Sequence, residues 1–124
     1  MTPTAPNPSF AFAHHAWNAV RAQALGERMT LRRLCGGASE AWWLELQPSS
    51  GFQCAGIPAE AILTVLEGRL SCQVFGNQIE LPRGHYAVIP PNIAFAVRVG
   101  GRSPAAALLS AGTLLAEPLP LEAT

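Results

Sequence analysis

Across residues 29–111 the chain is cut into short apolar segments by turn signals that recur roughly every 8–12 residues, the spacing of an all-β sandwich or barrel. The signals are Pro48-Ser49-Ser50-Gly51, Glu67-Gly68, Gly76-Asn77, Pro82-Arg83-Gly84, Pro90-Pro91-Asn92 and Gly100-Gly101. Each combines residues that preset φ or tolerate positive φ, so the chain must reverse there. Between them, residues 29–34, 41–47, 62–66, 70–75, 78–81, 86–89, 93–99 and 105–111 read as strands, about eight or nine in all. The clearest is 41–47, where Trp42, Leu44 and Leu46 fall on one face and Trp43, Glu45 and Gln47 on the other. Gly76-Asn77 reads as a two-residue hairpin loop of type II′, with Gly at the position of positive φ.

The flanks are less regular. Residues 1–8 hold Pro3, Pro6 and Pro8, so residues 1–10 are expected to be disordered or extended. Residues 11–26 are Ala-rich and read as a short helix ended by Gly26, although Phe10, Phe12 and Trp17 suit an edge strand equally well. One barrel domain is expected over residues 11–115, and a Pro-containing tail over 116–124 extended along the surface.

A chain of 124 residues accommodates one domain with one core. Charged residues make up only 13% of it, against about 25% in typical soluble proteins. A lone copy would expose much apolar surface, so a homodimer or larger is expected. Lys plus Arg equal Asp plus Glu at 8 each, which leaves no basic stripe for a nucleic acid. No apolar run approaches the roughly 20 residues of a membrane helix, and the first residues lack a charged start followed by an apolar block. Cys35, Cys54 and Cys72 are an odd set without short paired spacings and read as free thiols in a reducing cytoplasm.

Two stretches carry a family resemblance. Ile62-Leu-Thr-Val-Leu-Glu-Gly68 resembles the end of the first signature of the cupin superfamily, and Gly84-His-Tyr-Ala-Val-Ile-Pro-Pro-Asn-Ile-Ala-Phe95 resembles the second. The first signature runs Gly, five residues, His-x-His, three or four residues, Glu, six residues, Gly. With Gly68 as its last residue, the Glu position is Ala61, the His positions are Ile57 and Ala55, and the leading Gly falls on Ser49. The longer spacing puts the His positions at Gly56 and Cys54 instead. In the second signature Gly84 and Pro90 match, Asn92 replaces a Gly, Phe95 stands at the His position and Val99 at the Asn position. The resemblance covers residues 41–111 and implies an all-β, cupin-type double-stranded β-helix, an RmlC-like jelly roll, with a short N-terminal extension.

The family's metal needs imidazoles and a carboxylate converging inside the barrel. Ala55, Ile57, Ala61 and Phe95 offer no lone pairs, so no metal or other cofactor is expected. Strand parity carries their neighbours inward too. If Ala61 faces the interior so do Leu63 and Val65, and if Phe95 does so do Val97 and Val99. With Trp42, Leu44 and Leu46 they make an oily lining. The expected ligand-binding set is therefore Trp42, Leu44, Ala55, Ile57, Ala61, Leu63, Phe95 and Val97, around a small, largely apolar molecule.

Other chemistry-bearing residues read as ordinary. His14 and His15 are adjacent and would point to opposite faces of a strand, and His85 sits in a turn outside the barrel mouth. Trp43 falls on the outer face, where a dimer contact is the expected role. Cys54 and Cys72 read as small buried hydrophobes. Glu45, Glu60, Glu67 and Glu80 pair with no second carboxylate or His for acid–base work. Three functions follow: a metal-free cupin that binds a small apolar molecule, a structural or interaction module with a filled barrel, and a metal-independent isomerase or epimerase. The third lacks catalytic residues, since Tyr86 is the only tyrosine and no His is expected inside.

Overall fold

The computed structural model describes residues 15–35, 39–112 and 120–124. A 3-10 turn at Trp17–Ala19 precedes eleven strands: β1 Gln23–Leu25, β2 Met29–Cys35, β3 Glu40–Leu46, β4 Gly51–Cys54, β5 Ala61–Glu67, β6 Arg69–Val74, β7 Asn77–Pro82, β8 Tyr86–Ile89, β9 Phe95–Val99, β10 Ala105–Ala111 and β11 Leu121–Ala123. They form two antiparallel sheets, β1-β2-β3-β10-β5-β8 (sheet 1) and β11-β4-β9-β6-β7 (sheet 2). No described helix is long and apolar enough to cross a membrane.

The expected alternation builds the core. In β3 every second residue is buried, Glu40, Trp42, Leu44 and Leu46, and β10 repeats the pattern with Ala105, Ala107, Leu109 and Ala111. β5 contributes Ala61, Leu63 and Val65, while sheet 2 faces them with Phe52, Cys54, Leu70, Cys72, Phe95 and Val97. Phe52 and Phe95, across the β4–β9 ladder, meet edge to face with ring centroids 6.2 Å apart.

The turns that carry the family resemblance share one backbone property. Ser49, Gly68, Gly84 and Asn92, the four glycine positions of the two signatures, all take positive φ: 65°, 72°, 85° and 60°. At Gly68 a side chain is also barred by space, because a Cβ there would lie 2.5 Å from the Pro104 carbonyl oxygen. Ser and Asn therefore stand where the backbone asks for Gly, and Asn tolerates it best among the other residues.

Four expectations need correction. The hairpin between β6 and β7 pairs Val74 with Asn77, so its loop is Phe75-Gly76, not Gly76-Asn77. Phe75 and Gly76 both have positive φ, 54° and 76°, which defines a type I′ turn. The register is set by Leu70 opposite Leu81, both buried, and that pairing forces Phe75 into the left-handed region. Residues 15–26 hold no α-helix: after the 3-10 turn, β1 adds to the edge of β2, and Gly26 (φ 68°) opens the hairpin between them. At the other end, Leu121–Ala123 does not lie loose on the surface but pairs with β4, and Leu121 is buried, so the barrel extends past residue 115. Val99, expected inside, is only half-buried at the end of β9. The N-terminal extension at 1–10, His14, the Gly36-Gly37 stop and residues 116–119 of the tail lie outside the described residues.

Candidate functional site

One end of the barrel gathers the ends of β4 and β10 with the starts of β3, β5, β9 and β11. This is the end at which the signature positions fall. On β4, Phe52 stands opposite Val97 and Cys54 opposite Phe95, so Phe52 and Cys54 face inward. Parity then puts Ala55 outside, and it is exposed. The chain bends at Gly56 (φ 137°), which resets the phase, and Ile57 returns to the interior, where its carbonyl accepts a hydrogen bond from the Asn92 N–H at 2.7 Å. The assignment of Ala55 to the lining is thus wrong, because the bend at Gly56 breaks the two-residue period. The inward set is Cys54, Ile57, Ala61 and Phe95, joined by Trp42.

The remaining lining residues are where parity puts them. Leu44, Ala61, Leu63 and Val97 have no exposed surface, and Trp42, Ile57 and Phe95 very little. A side chain bordering an internal void large enough for water keeps surface that water can touch, so the four fully buried residues border no such void.

As a donor set this layer consists of one thiol and three hydrocarbons. Burial pushes the Cys54 thiol above its ordinary range, against a smaller opposite effect of a hydrogen bond from the Gly56 backbone. A thiol that resists ionisation is a poor metal ligand, and Ala61, Ile57 and Phe95 donate nothing. The residues at the family's metal position therefore do not fit iron, manganese or nickel. Among the described residues, no group of three or more His, Cys, Asp or Glu side chains comes together in a way that could hold a metal ion.

The same end of the barrel contains an ionic group that the sequence reading passed over. Glu40 begins the inward line of β3 and is 2% exposed. Arg33, opposite Trp42 on β2, forks onto it: Nε donates to Oε2 at 2.9 Å and Nη2 to Oε1 at 2.6 Å. The hydrogen bonds to Glu40 raise the Arg33 pKa, so the guanidinium stays charged, and it also lies 5.9 Å above the Trp42 ring. The signal was present in the strict Glu40-Trp42-Leu44-Leu46 alternation. It was missed because the strand was begun at Ala41. The Trp42 Nε1 is buried with no hydrogen-bond partner among the described residues.

The other candidates lie outside the barrel. Tyr86 is 62% exposed on the outer face of β8, and His85 is exposed in the preceding turn. Trp43 faces outward as expected, but it is covered by the protein itself: Trp17 stacks on it with centroids 4.3 Å apart and planes 8° from parallel. Arg32 lies 5.0 Å over Trp17, pairs with Glu45 and donates from Nε to the Val20 carbonyl, pinning the N-terminal segment to sheet 1. A surface cleft of about 610 Å3 opens at this end of sheet 2, lined by Gln53, Gln73, Ala96 and Glu122 and also by Cys54 and Phe95 of the inward set.

Two facing antiparallel sheets of this order, with the positive-φ turns and inward positions just described, make a jelly-roll barrel. Solved structures share it. An RmlC-like cupin from Shewanella frigidimarina matches with a TM-score of 0.73 at 12% identity, over 86% of this chain and 95% of its own. KdgF from a Halomonas species gives 0.71 at 12% identity, over 82% and 94% of the two chains. The cupin domain of Schizosaccharomyces pombe Cnp3 gives 0.70 at 11% identity, over 81% and 73%. The chain has the cupin fold. No protein-family model and no curated protein matches its sequence.

Proposed function

We propose that this chain is a metal-independent cupin module whose barrel interior is a structural core and whose outer surfaces do the work of interaction. The observation that carries this reading is the filling of the interior at the family's ligand positions. Cys54, Ile57, Ala61 and Phe95 belong to one buried cluster with Trp42, Leu44, Leu63 and Val97, and of these only Cys54 and Phe95 border the cleft at this end. A small apolar ligand would have to displace Phe95 or Trp42, each set in a close-packed core, at a cost of several kcal/mol. Catalysis by isomerisation has less support, since the Tyr86 phenol and the His85 imidazole point away from the interior.

The test is a thermal-shift series with the purified chain, using Mn2+, Fe2+, Ni2+ and Zn2+ and a panel of small apolar and aromatic compounds. The midpoint is expected to stay constant. A compound or metal that binds stoichiometrically, raises the midpoint by several degrees, and loses this effect in Ala61→Phe would overturn the filled-barrel reading.

A further inference from the structure

One ladder row crosses the outer side of sheet 2 at the end where the cleft opens. Glu122, Gln53, Ala96 and Gln73 stand side by side on β11, β4, β9 and β6. Their chain neighbours Leu121, Cys54, Phe95, Val97 and Cys72 are buried in the core, so strand parity turns the row outward. Gln53 and Gln73 lie two strands apart, roughly 10 Å at their Cα atoms. The Ala96 methyl between them makes a floor with an amide on either side. The cleft that this row lines holds about 610 Å3, within the range of roughly 300–1,000 Å3 for small-ligand sites. Cys54 and Phe95 border it as well, but at 2% and 3% exposure they show it little surface. Its accessible lining is therefore the outer row, not the barrel interior.

The β6–β7 hairpin supplies an independent observation. Phe75 lines the same cleft, is 72% exposed and has a φ of 54°. A type I′ turn favours Asn at that position, and an exposed ring adds nothing to the core. A disfavoured backbone conformation carrying an exposed aromatic side chain points to a use outside the packing of the fold.

The charges around the cleft narrow its ligand. The chain's eight cationic side chains are all arginines, and none lines the cleft. The nearest along β9, Arg98, donates instead to the Ser49 carbonyl and the Thr124 hydroxyl. A phosphate or carboxylate would thus meet Glu122 and no cation. Glu122 itself already accepts a hydrogen bond from Gln53 Nε2 at 3.0 Å, so it does not require a cationic ligand. The two amides both donate and accept, as hydroxyl groups do.

We propose that this outer cleft of sheet 2 binds a neutral sugar ring. The C–H face of a pyranose lies against Phe75, and its hydroxyls bond to the Gln53 and Gln73 amides and to the Glu122 carboxylate, over the Ala96 floor. The inference deepens the interaction-module reading and rests on it: it names a ligand class for one outer surface and leaves the interior filled. An aromatic wall, two amides and one carboxylate, with no cation, suit an uncharged ring that is apolar on its face and hydroxylated at its edge.

The experiment is an NMR titration of the nitrogen-labelled whole chain with the methyl glycosides of glucose, galactose and mannose, and separately with galacturonate and butylammonium. At least one glycoside is expected to move the side-chain amide signals of Gln53 and Gln73 and the backbone signal of Gly76 saturably, and to leave Leu63 and Val65 in the core unmoved. Phe75→Asn, which suits the turn better than Phe, is expected to weaken that glycoside about tenfold through loss of the ring contact. Gln73→Ala should weaken it too, whereas Gln78→Ala, opposite Gln73 but outside the cleft, should bind as wild type does. The proposal is overturned if none of the three glycosides moves the Gln53 and Gln73 amides, if Phe75→Asn binds as tightly as wild type, or if galacturonate or butylammonium saturates at lower concentration than every glycoside. Absence of binding would remove this proposal alone. A glycoside that moves Leu63 and Val65 instead of the outer row would remove the filled-barrel reading with it.

Discussion

Arg33 holds Glu40 by two parallel hydrogen bonds across the rim of the barrel, and Glu40 is buried to 2% exposure while the Arg33 side chain is 45% exposed. One partner has left water and the other has not. The guanidinium therefore replaces part of the solvation that the Glu40 carboxylate has lost.

Removing Arg33 should take two charge-assisted hydrogen bonds from that buried carboxylate. Arg33→Ala is expected to lower the thermal midpoint, and the double variant Arg33→Ala with Glu40→Leu to recover part of the loss. A double-mutant cycle by chemical denaturation checks this. If the double variant is less stable than Arg33→Ala, the pair is not the source of the effect.

The core should behave as a filled one. Phe95→Ala removes one ring of the edge-to-face Phe52–Phe95 pair from the buried cluster, at an expected cost of about 3–5 kcal/mol. Urea unfolding measures it. A loss below about 1 kcal/mol would mean that the neighbourhood of Phe95 is already loose.

The hairpin turn offers a gain. Phe75 occupies a left-handed position at the first centre of a type I′ turn, where Asn-Gly is the favoured pair. Phe75→Asn should stabilise by about 1 kcal/mol, since a left-handed conformation costs an ordinary L-residue about 1–2 kcal/mol. A raised urea midpoint at constant m-value is the expected reading.

Trp17→Ala should free the N-terminal segment. It removes the stacked partner of Trp43 and one face of the Arg32 contact. Iodide quenching of the remaining tryptophan fluorescence is expected to increase, because Trp43 becomes accessible. Unchanged quenching would show that another group covers it.

Thiol reactivity should divide the cysteines. Cys35 is exposed, and Cys54 and Cys72 are buried. Burial raises the pKa of both buried thiols from the ordinary value of 9.0, so the unfolded chain ionises first. Their contribution to stability is complete below that value and is lost as pH rises through the raised folded values. One thiol per chain should react quickly with a disulfide reagent at pH 8, and stability should fall on going above pH 9. Rapid reaction of all three would contradict the packing.

The scaffold was legible because turns and alternation are local. Pro82-Arg83-Gly84 and Pro90-Pro91-Asn92 bracket β8 in both the sequence reading and the structure, and Trp42-Leu44-Leu46 set the inward face of β3. What local signals could not give were events decided by distant strands. The hairpin loop moved to Phe75-Gly76 because Leu70 and Leu81 fixed the register. Ala55 was misplaced because the bend at Gly56 interrupts the period. Glu40 became a buried ion only when the neighbouring strand brought Arg33 across, and Leu121 became a core residue only when β11 found β4. The partners of Glu40 and Leu121 are tertiary pairings, the hairpin register is a cross-strand pair, and the bend at Gly56 is a local break that a two-residue period does not register.

The position of β10 governs how the molecule can be made. This strand lies between β3 and β5, and its partners are Trp42 to its one side and Leu63 to its other through Leu109. A ribosome releases residues 40–46 and 61–67 long before residues 105–111, so the two earlier strands spend that interval without the neighbour that separates them. Sheet 1 cannot assemble from its N-terminal half. Sheet 1 closes only once residues 105–111 are available, as expected of a topology dominated by long-range pairing, and until then the facing edges of β3 and β5 have no strand between them.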